Sequence, residues 1–221
     1  MLKVVVFDSG YGGELFADKL EEEFPVLDII RVIDWRNADA IQNNPRLARQ
    51  MALAALRPYF ERVDLIIFAN HLLTITSLRF FRRKFKNQKF LGFNLPSPST
   101  FLERPTAVLT TRSVSKTLNY RNYLFRLKRK VETICLDDWP ALIDDGELTD
   151  KMVYRAFEEF NREHHYLPAE LILACSQFTD IIPLLKSTLG QQTIIHDSFR
   201  DAITDVCKIL KIRGGVKKHK K

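Results

Sequence analysis

Short apolar runs alternate with longer stretches of helical period along most of the chain. "LKVVVFD" (2–8), "LDIIRVID" (27–34), "VDLIIFAN" (63–70) and "KFLGFNL" (89–95) have the length and β-branched content of buried strands. Between them, "GGELFADKLEEEFP" contains a helix ended by Pro25, and "PRLARQMALAALRPYFER" (45–62) carries apolar residues at helical spacing. Pro58 is placed to shorten or kink that second helix. A basic helix is expected from about Thr76 to Lys86.

A Pro- and Ser-rich stretch, "PSPSTFLERP" (96–105), then reads as a link, after which the rhythm restarts. Strands are expected at 106–111, 131–138, 169–176 and 193–197. Helices are expected in "KTLNYRNYLFRLKR", "DKMVYRAFEEFNREH", "FTDIIPLLKSTLG" and "SFRDAITDVCKIL". Such alternation predicts an α/β protein with mainly parallel sheets covered by helices on both faces.

The restart reads as an internal repeat. An offset of 103 residues lays "VVVFDSG" (4–10) on "AVLTTRS" (107–113) and Asp34 on Asp137. An offset of 106 lays "DLIIFANH" (64–71) on "ELILACSQ" (170–177), so that Ala69 meets Cys175. The expected architecture is two pseudo-symmetric three-layer α/β lobes, 1–96 with 197–221 and 97–196, with an active-site cleft between them. In such sheets ligands bind beyond the carboxyl ends of the strands.

Composition narrows the class. Hydrophobic residues make up 46% and charged residues 28% of 221, which suits a folded protein with a substantial core. No apolar run approaches the roughly 18 residues of a membrane span, and no leader pattern opens the chain, so a cytoplasmic protein is expected. Three widely spaced cysteines, Cys135, Cys175 and Cys207, make neither a disulfide framework nor a metal pattern. Cys135 and Cys207 are expected in the core, the first inside a strand and the second in mid-helix. The net charge of +7 comes partly from "GGVKKHKK", read as a solvated tail, and partly from "RFFRRKFKNQKF" (79–90). The latter is expected to be an amphipathic surface helix with phenylalanines inward, rather than a nucleic-acid surface.

Three stretches carry candidate chemistry. "FDSGYGG" (7–13) joins the first strand to the first helix, and its glycines expose backbone amides at a helix start, which suits an anion. Asp8 and Ser9 project from that strand end. "LACSQF" puts Cys175 at another strand end beside Ser176 and Gln177, a setting for a thiolate base or nucleophile as well as for an ordinary core cysteine. "TTRSVSKTLNY" (110–120) clusters hydroxyls before a helix, fit for carboxylate binding or for helix capping alike.

Together these residues resemble the aspartate/glutamate racemase family, on the side of glutamate racemase, from about Val4 to Asp197. "VFDSGYGG" is similar to the family's F-D-S-G-x-G-G opening. "LIIFANH" corresponds to its first cysteine motif, a strand ending in A-C-N-T, and "LACSQF" to its second, G-C-T-H-F. "TTRSVSKTLNY" resembles a block ending in Ser-x-x-Tyr, with Thr117 and Tyr120 at those places; "LIDDG" (142–146) falls where the family has L-V-E-x-G. The resemblance implies two lobes and a racemase that uses neither metal nor any other cofactor, in which two thiols work opposite faces of the substrate α-carbon. It implies Cys175 as catalytic, with Asp8 and Asp144 as the assisting acids. It implies Ser9, Asn70, Thr111 and Ser176, with Gln177 beside them, as substrate-binding groups.

The chain departs from that pattern at positions that bear on the chemistry. Ala69 stands for the first cysteine, His71 for the threonine after Asn70, Gln177 for the histidine of the second motif, and Asp39-Ala40-Ile41 for a Pro-Tyr-Gly segment. A methyl group cannot exchange a proton. Three readings stay open: a divergent racemase in which His71 or water replaces the lost thiol, a single-cysteine decarboxylase or isomerase of small dicarboxylic acids, and a non-catalytic binder of acidic ligands. The expected partner is a small anionic substrate of the glutamate or aspartate type. No membrane partner is expected, nucleic acid is disfavoured, and a homodimer is the candidate assembly.

Overall fold

The computed structural model describes residues 1–97 and 104–212. Most of the Pro- and Ser-rich link and all of the basic tail "GGVKKHKK" therefore lie outside the described residues. The chain divides into two compact units, Met1–Asn94 with Phe199–Lys221, and Leu95–Ser198.

The first unit holds a four-stranded parallel sheet of β1 (Leu2–Asp8), β2 (Leu27–Ile33), β3 (Leu65–Phe68) and β4 (Phe90–Gly92), in the order β2-β1-β3-β4. The central strands β1 and β3 are buried on both faces, which explains why "VVVF" and "LIIF" are apolar without alternation. One face packs on α1 (Tyr11–Glu23) and on α10 (Ser198–Leu210), through Val4, Val6, Leu65, Ile67, Phe16, Leu20, Phe199 and Val206. The other packs on α3 (Pro45–Leu56) and α4 (His71–Lys84), through Val5, Phe7, Ile66, Phe68, Ala52, Leu73 and Phe81. A short α2 (Ala38–Asn43) precedes α3, whose first turn is capped by the Asn44 side chain. The helix stops at Leu56, where Pro58 falls in a 3-10 turn. The basic helix is amphipathic: Phe81 is buried, while Arg82 donates to the Phe90 carbonyl.

The second unit repeats the sheet with β5 (Thr106–Thr110), β6 (Val131–Cys135), β7 (Glu170–Ala174) and β8 (Ile194–His196), in the order β6-β5-β7-β8. One face packs on α7 (Trp139–Asp144), α8 (Asp150–His164) and α9 (Ile182–Leu189), through Ala107, Leu109, Leu171, Leu173, Phe157 and Leu185. On the other side lie α5 (Arg112–Ser115) and α6 (Leu118–Arg126). Tyr120 of α6 reaches Thr133 of β6, and Thr133 pairs with Val108.

The repeat is present, with one refinement. Val5 pairs with Ile30 and Ile66; the residues 102, 102 and 105 places later, Ala107, Glu132 and Leu171, pair in the same way. Ile67 pairs with Leu91, and 105 places later Ile172 pairs with His196. Offsets of 103 and 106 preserve the pairing but lay Val4, which faces α1, on Ala107, which faces α8. Side chains alternate along a strand, so a one-residue slip exchanges the two faces. Offsets of 102 and 105 keep pairing and face together. They align Asp8 with Thr110, Ser9 with Thr111, Ala69 with Ala174, and Asn70 with Cys175.

Two local expectations change. Helix α4 begins at His71, five residues before the expected start near Thr76, so His71 opens a helix. Cys135 is exposed at the end of the edge strand β6, where its thiol donates to Ser115 Oγ at 3.4 Å. An edge strand's end has a neighbour on one side only, so burial does not follow from strand position there. Cys207 is half-buried against the core beside α10, as a mid-helix cysteine should be.

Candidate active site

In the first unit the candidate residues gather at the carboxyl ends of β1 and β3. Asp8, the last residue of β1, is 1% exposed. Its Oδ1 accepts from the Ser9 amide at 2.6 Å and from Asn70 Nδ2 at 2.8 Å. These bonds satisfy a carboxylate taken out of water. Helix α1 passes so close that a Cβ on Gly13 would lie 2.4 Å from Asp8 Cβ, so the glycine is what lets the helix cross the strand end. Ser9 is buried beside it. Asn70 caps α4, its Oδ1 accepting from the Leu73 amide at 2.9 Å. One carboxamide thus ties the start of a helix to the acid on the neighbouring strand.

Ala69 is fully buried in the apolar cluster shared with Ile67 and Phe93. His71 is 3% exposed, with its ring edge-on to Phe93 at 5.6 Å. Burial pushes the His71 imidazole down to about 3, so it is neutral at neutral pH. A separate hollow of about 380 Å³ lies past the end of β2, lined by Val32, Ile33, Asp34, Asn37, Met51, Ala54 and Ala55; it includes none of the predicted site residues. Asp34 there holds Asn37 Nδ2 at 2.9 Å, a local contact that the sequence pattern did not signal.

In the second unit Cys175 follows β7 in extended conformation and precedes a 3-10 turn, Ser176–Thr179, with no side-chain cap bond to it. Its side chain is half-buried on the α7–α8 face. The thiol donates to Gln177 Oε1 at 3.1 Å, and Ser176 Oγ donates to the same oxygen at 3.1 Å. Turned over, the Gln177 carboxamide presents Nε2 as a donor to the thiolate, so one side chain serves both protonation states. Ser176 and Gln177 are themselves buried. Helix α7 packs on this turn through Trp139 against Phe178, ring centres 6.1 Å apart. Asp144 is exposed at the last position of α7.

The hydroxyl block divides by role. Thr111 precedes α5 half-buried and makes no side-chain cap bond. Thr117 caps α6 by accepting from the Tyr120 amide at 3.2 Å. The Tyr120 hydroxyl lies 2.8 Å from Thr133 Oγ1, and burial pushes it up to about 12. Thr117 and Tyr120 therefore hold α6 in place. Among the described residues, no group of three or more His, Cys, Asp and Glu could hold a metal ion, and no helix is long and apolar enough to cross a membrane.

No family model matches the sequence. A glutamate racemase of Lactococcus lactis subsp. cremoris is 22% identical over 216 residues, covering 93% of this chain and 78% of the relative. Among solved structures, Escherichia coli glutamate racemase, held with L-glutamate and an activator, superposes with a TM-score of 0.84 at 19% identity. That match covers 97% of this chain and 84% of the other. Picrophilus torridus aspartate racemase matches with a TM-score of 0.63 at 15% identity, over 96% and 95% of the two chains. At these identities the structural likeness shows a shared fold.

Proposed function

We propose that this chain, which belongs to the aspartate/glutamate racemase family, moves the α-proton of a small acidic substrate through the single thiol of Cys175. The observation that carries this reading is the polar setting of Cys175: a half-buried thiol at a central strand end, bonded to a buried carboxamide that can serve thiol and thiolate in turn. The relatives bear the names of glutamate and aspartate racemases, so a cofactor-independent reaction on a glutamate- or aspartate-like acid is the natural substrate class.

The thiolate takes the proton from Cα as charge moves into the adjoining carboxylate, and the resulting thiol returns a proton to the same carbon. Ser176 and Thr111 are the proposed carboxylate donors beside it. By the family motif, Ser9 and Asn70 bind substrate as well, with Asp8 as the acid that orders them. Asp144, at the end of α7, is the proposed acid for Cys175 by the family motif. His71 does not replace the missing thiol. A base whose conjugate acid titrates near 3 is mismatched to proton abstraction at neutral pH. The expected reaction is therefore exchange at Cα with little or no inversion.

Proton NMR of L- and D-glutamate and L- and D-aspartate in deuterated buffer tests this. Loss of the Cα–H signal without formation of the enantiomer is expected for at least one of the four. Cys175→Ser should slow it by about 10²-fold or more. Exchange that survives in Cys175→Ser would sink the assignment, and rapid formation of the enantiomer would show that a second proton donor exists.

A further inference from the structure

Helix α6 of the second unit presents a face that the proposed reaction does not use. Its inner side is buried through Tyr120, Tyr123 and Leu127. Its outer side carries Leu118, Arg121, Asn122 and Phe125, spaced to share one helical stripe. Leu118 is 71% exposed and Phe125 is 85% exposed. A rise of about 1.5 Å per residue puts the two roughly 10 Å apart. Single exposed apolar residues are ordinary on a protein surface. Two large ones on one short helix, set among cations, are less so.

The charge around them is one-sided. From Arg104 to Val131 the chain has eight Lys and Arg residues and no Asp or Glu. Three of the eight are engaged with carboxylates: Arg112 with Asp137, Arg129 with Glu170 and Lys130 with Glu132. Lys116, Arg121, Arg126 and Lys128 are exposed, and among the described residues no carboxylate forms an ion pair with them.

We propose that α6 docks on the surface of a bilayer containing anionic phospholipids, with Leu118 and Phe125 entering the head-group boundary and Lys116, Arg121, Arg126 and Lys128 meeting the phosphates. Apolar tips that project singly from a convex helix suit a soft interface that closes around each one. Cations between and beside them place their charge at head-group depth and keep their stems along the apolar boundary. A nucleic-acid surface would have use for Phe125 and the cations and none for Leu118. Docking of this kind lays the protein on a membrane without crossing it.

Co-sedimentation of the full chain with phosphatidylcholine vesicles, with and without phosphatidylserine, tests the proposal. Binding is expected only to the phosphatidylserine vesicles, and it should weaken as salt is raised. Leu118→Ser with Phe125→Ser should lower the partition coefficient about tenfold or more. Arg121→Glu with Arg126→Glu should lower it at least as far. Both pairs lie on the exposed surface, and unchanged circular dichroism and exchange activity would show that the fold is intact. Three results would each overturn the proposal: no sedimentation with phosphatidylserine vesicles, equal binding to neutral vesicles, or binding that the Leu118/Phe125 pair of substitutions leaves unchanged. The last would mean that charge elsewhere on the chain accounts for the retention.

Discussion

The two units share strand order, pairing register and face, yet they end their third strands differently. In the first, Asn70 follows the strand, caps α4 and binds Asp8. In the second, Cys175 occupies the matching place, precedes a 3-10 turn without capping it, and bonds to Gln177. One position is closed on itself by a carboxamide and a buried acid; the other keeps a thiol at its end. A duplicated frame thus fixes where a strand-end side chain sits, and leaves its chemistry to the residue placed there. The comparison also separates two ways of locating the missing thiol. The family motif puts it at Ala69, whereas the internal repeat, with faces kept, pairs Cys175 with Asn70.

Restoring a thiol decides between them, and this carries the largest expected effect. Ala69→Cys is expected to turn exchange with retention into measurable racemisation, read by chiral chromatography after incubation with one enantiomer. Asn70→Cys is expected to give no inversion and to lose stability, since it removes both the helix cap and the bond to Asp8. The reverse outcome would make the internal repeat the better guide to the site. Should neither variant invert substrate while exchange persists, neither place lies at the second face of the α-carbon.

The strands and most helices were legible because buried parallel strands are apolar throughout and the helices between them keep their period. The candidate residues were legible as strand-end motifs, Asp8-Ser9 and Cys175-Ser176-Gln177. Residue alternation was not. Runs such as "VVVF" and "LIIF" are apolar at every position and so carry no mark of which residue faces which helix. An offset wrong by one therefore fits the pattern as well as the right one. Helix α4 began five residues earlier than expected because the cap comes from Asn70, while "HLLT" still reads as the end of an apolar run. Cys135 was misplaced because edge and central strands of like composition differ only in their neighbours.

The next largest effect concerns the close approach that shapes the first unit's site. Gly13→Ala puts a methyl within 2.4 Å of Asp8 Cβ and 2.9 Å of Ile33 Cδ1, so α1 or β1 must shift. A loss of about 3 kcal/mol is expected from urea denaturation. Gly146, in the second unit just past α7, is the useful contrast. It has a φ of +70° with no atom near its missing Cβ, so Gly146→Ala strains the backbone alone. That substitution should cost about 1 kcal/mol. Equal losses would mean that the strand–helix contact at Asp8 is soft, and that the acid is held less firmly than its geometry implies.

The last expected effect, smaller than that of Gly13→Ala, tests whether His71 is closed off from solvent as the geometry has it. Its imidazole titrates near 3 folded and near 6.5 when unfolded, because burial disfavours the charged ring. The unfolded chain therefore binds the extra proton first as pH falls. The group costs nothing above about pH 6.5. Below that it withdraws stability at about 1.4 kcal/mol per pH unit, until the folded ring protonates as well. At pH 5 this amounts to roughly 2 kcal/mol. His71→Gln removes the titrating ring, so the stability gap between wild type and variant should shift by about that amount between pH 7 and pH 5, in the variant's favour. Chemical denaturation at the two pH values measures it, and the remaining histidines cancel in the difference. A gap that stays constant would mean that His71 protonates as easily in the folded protein as in the unfolded one. That ring would then be open to water and competent near neutrality, and the case against a second proton-transfer group in the first unit would fail.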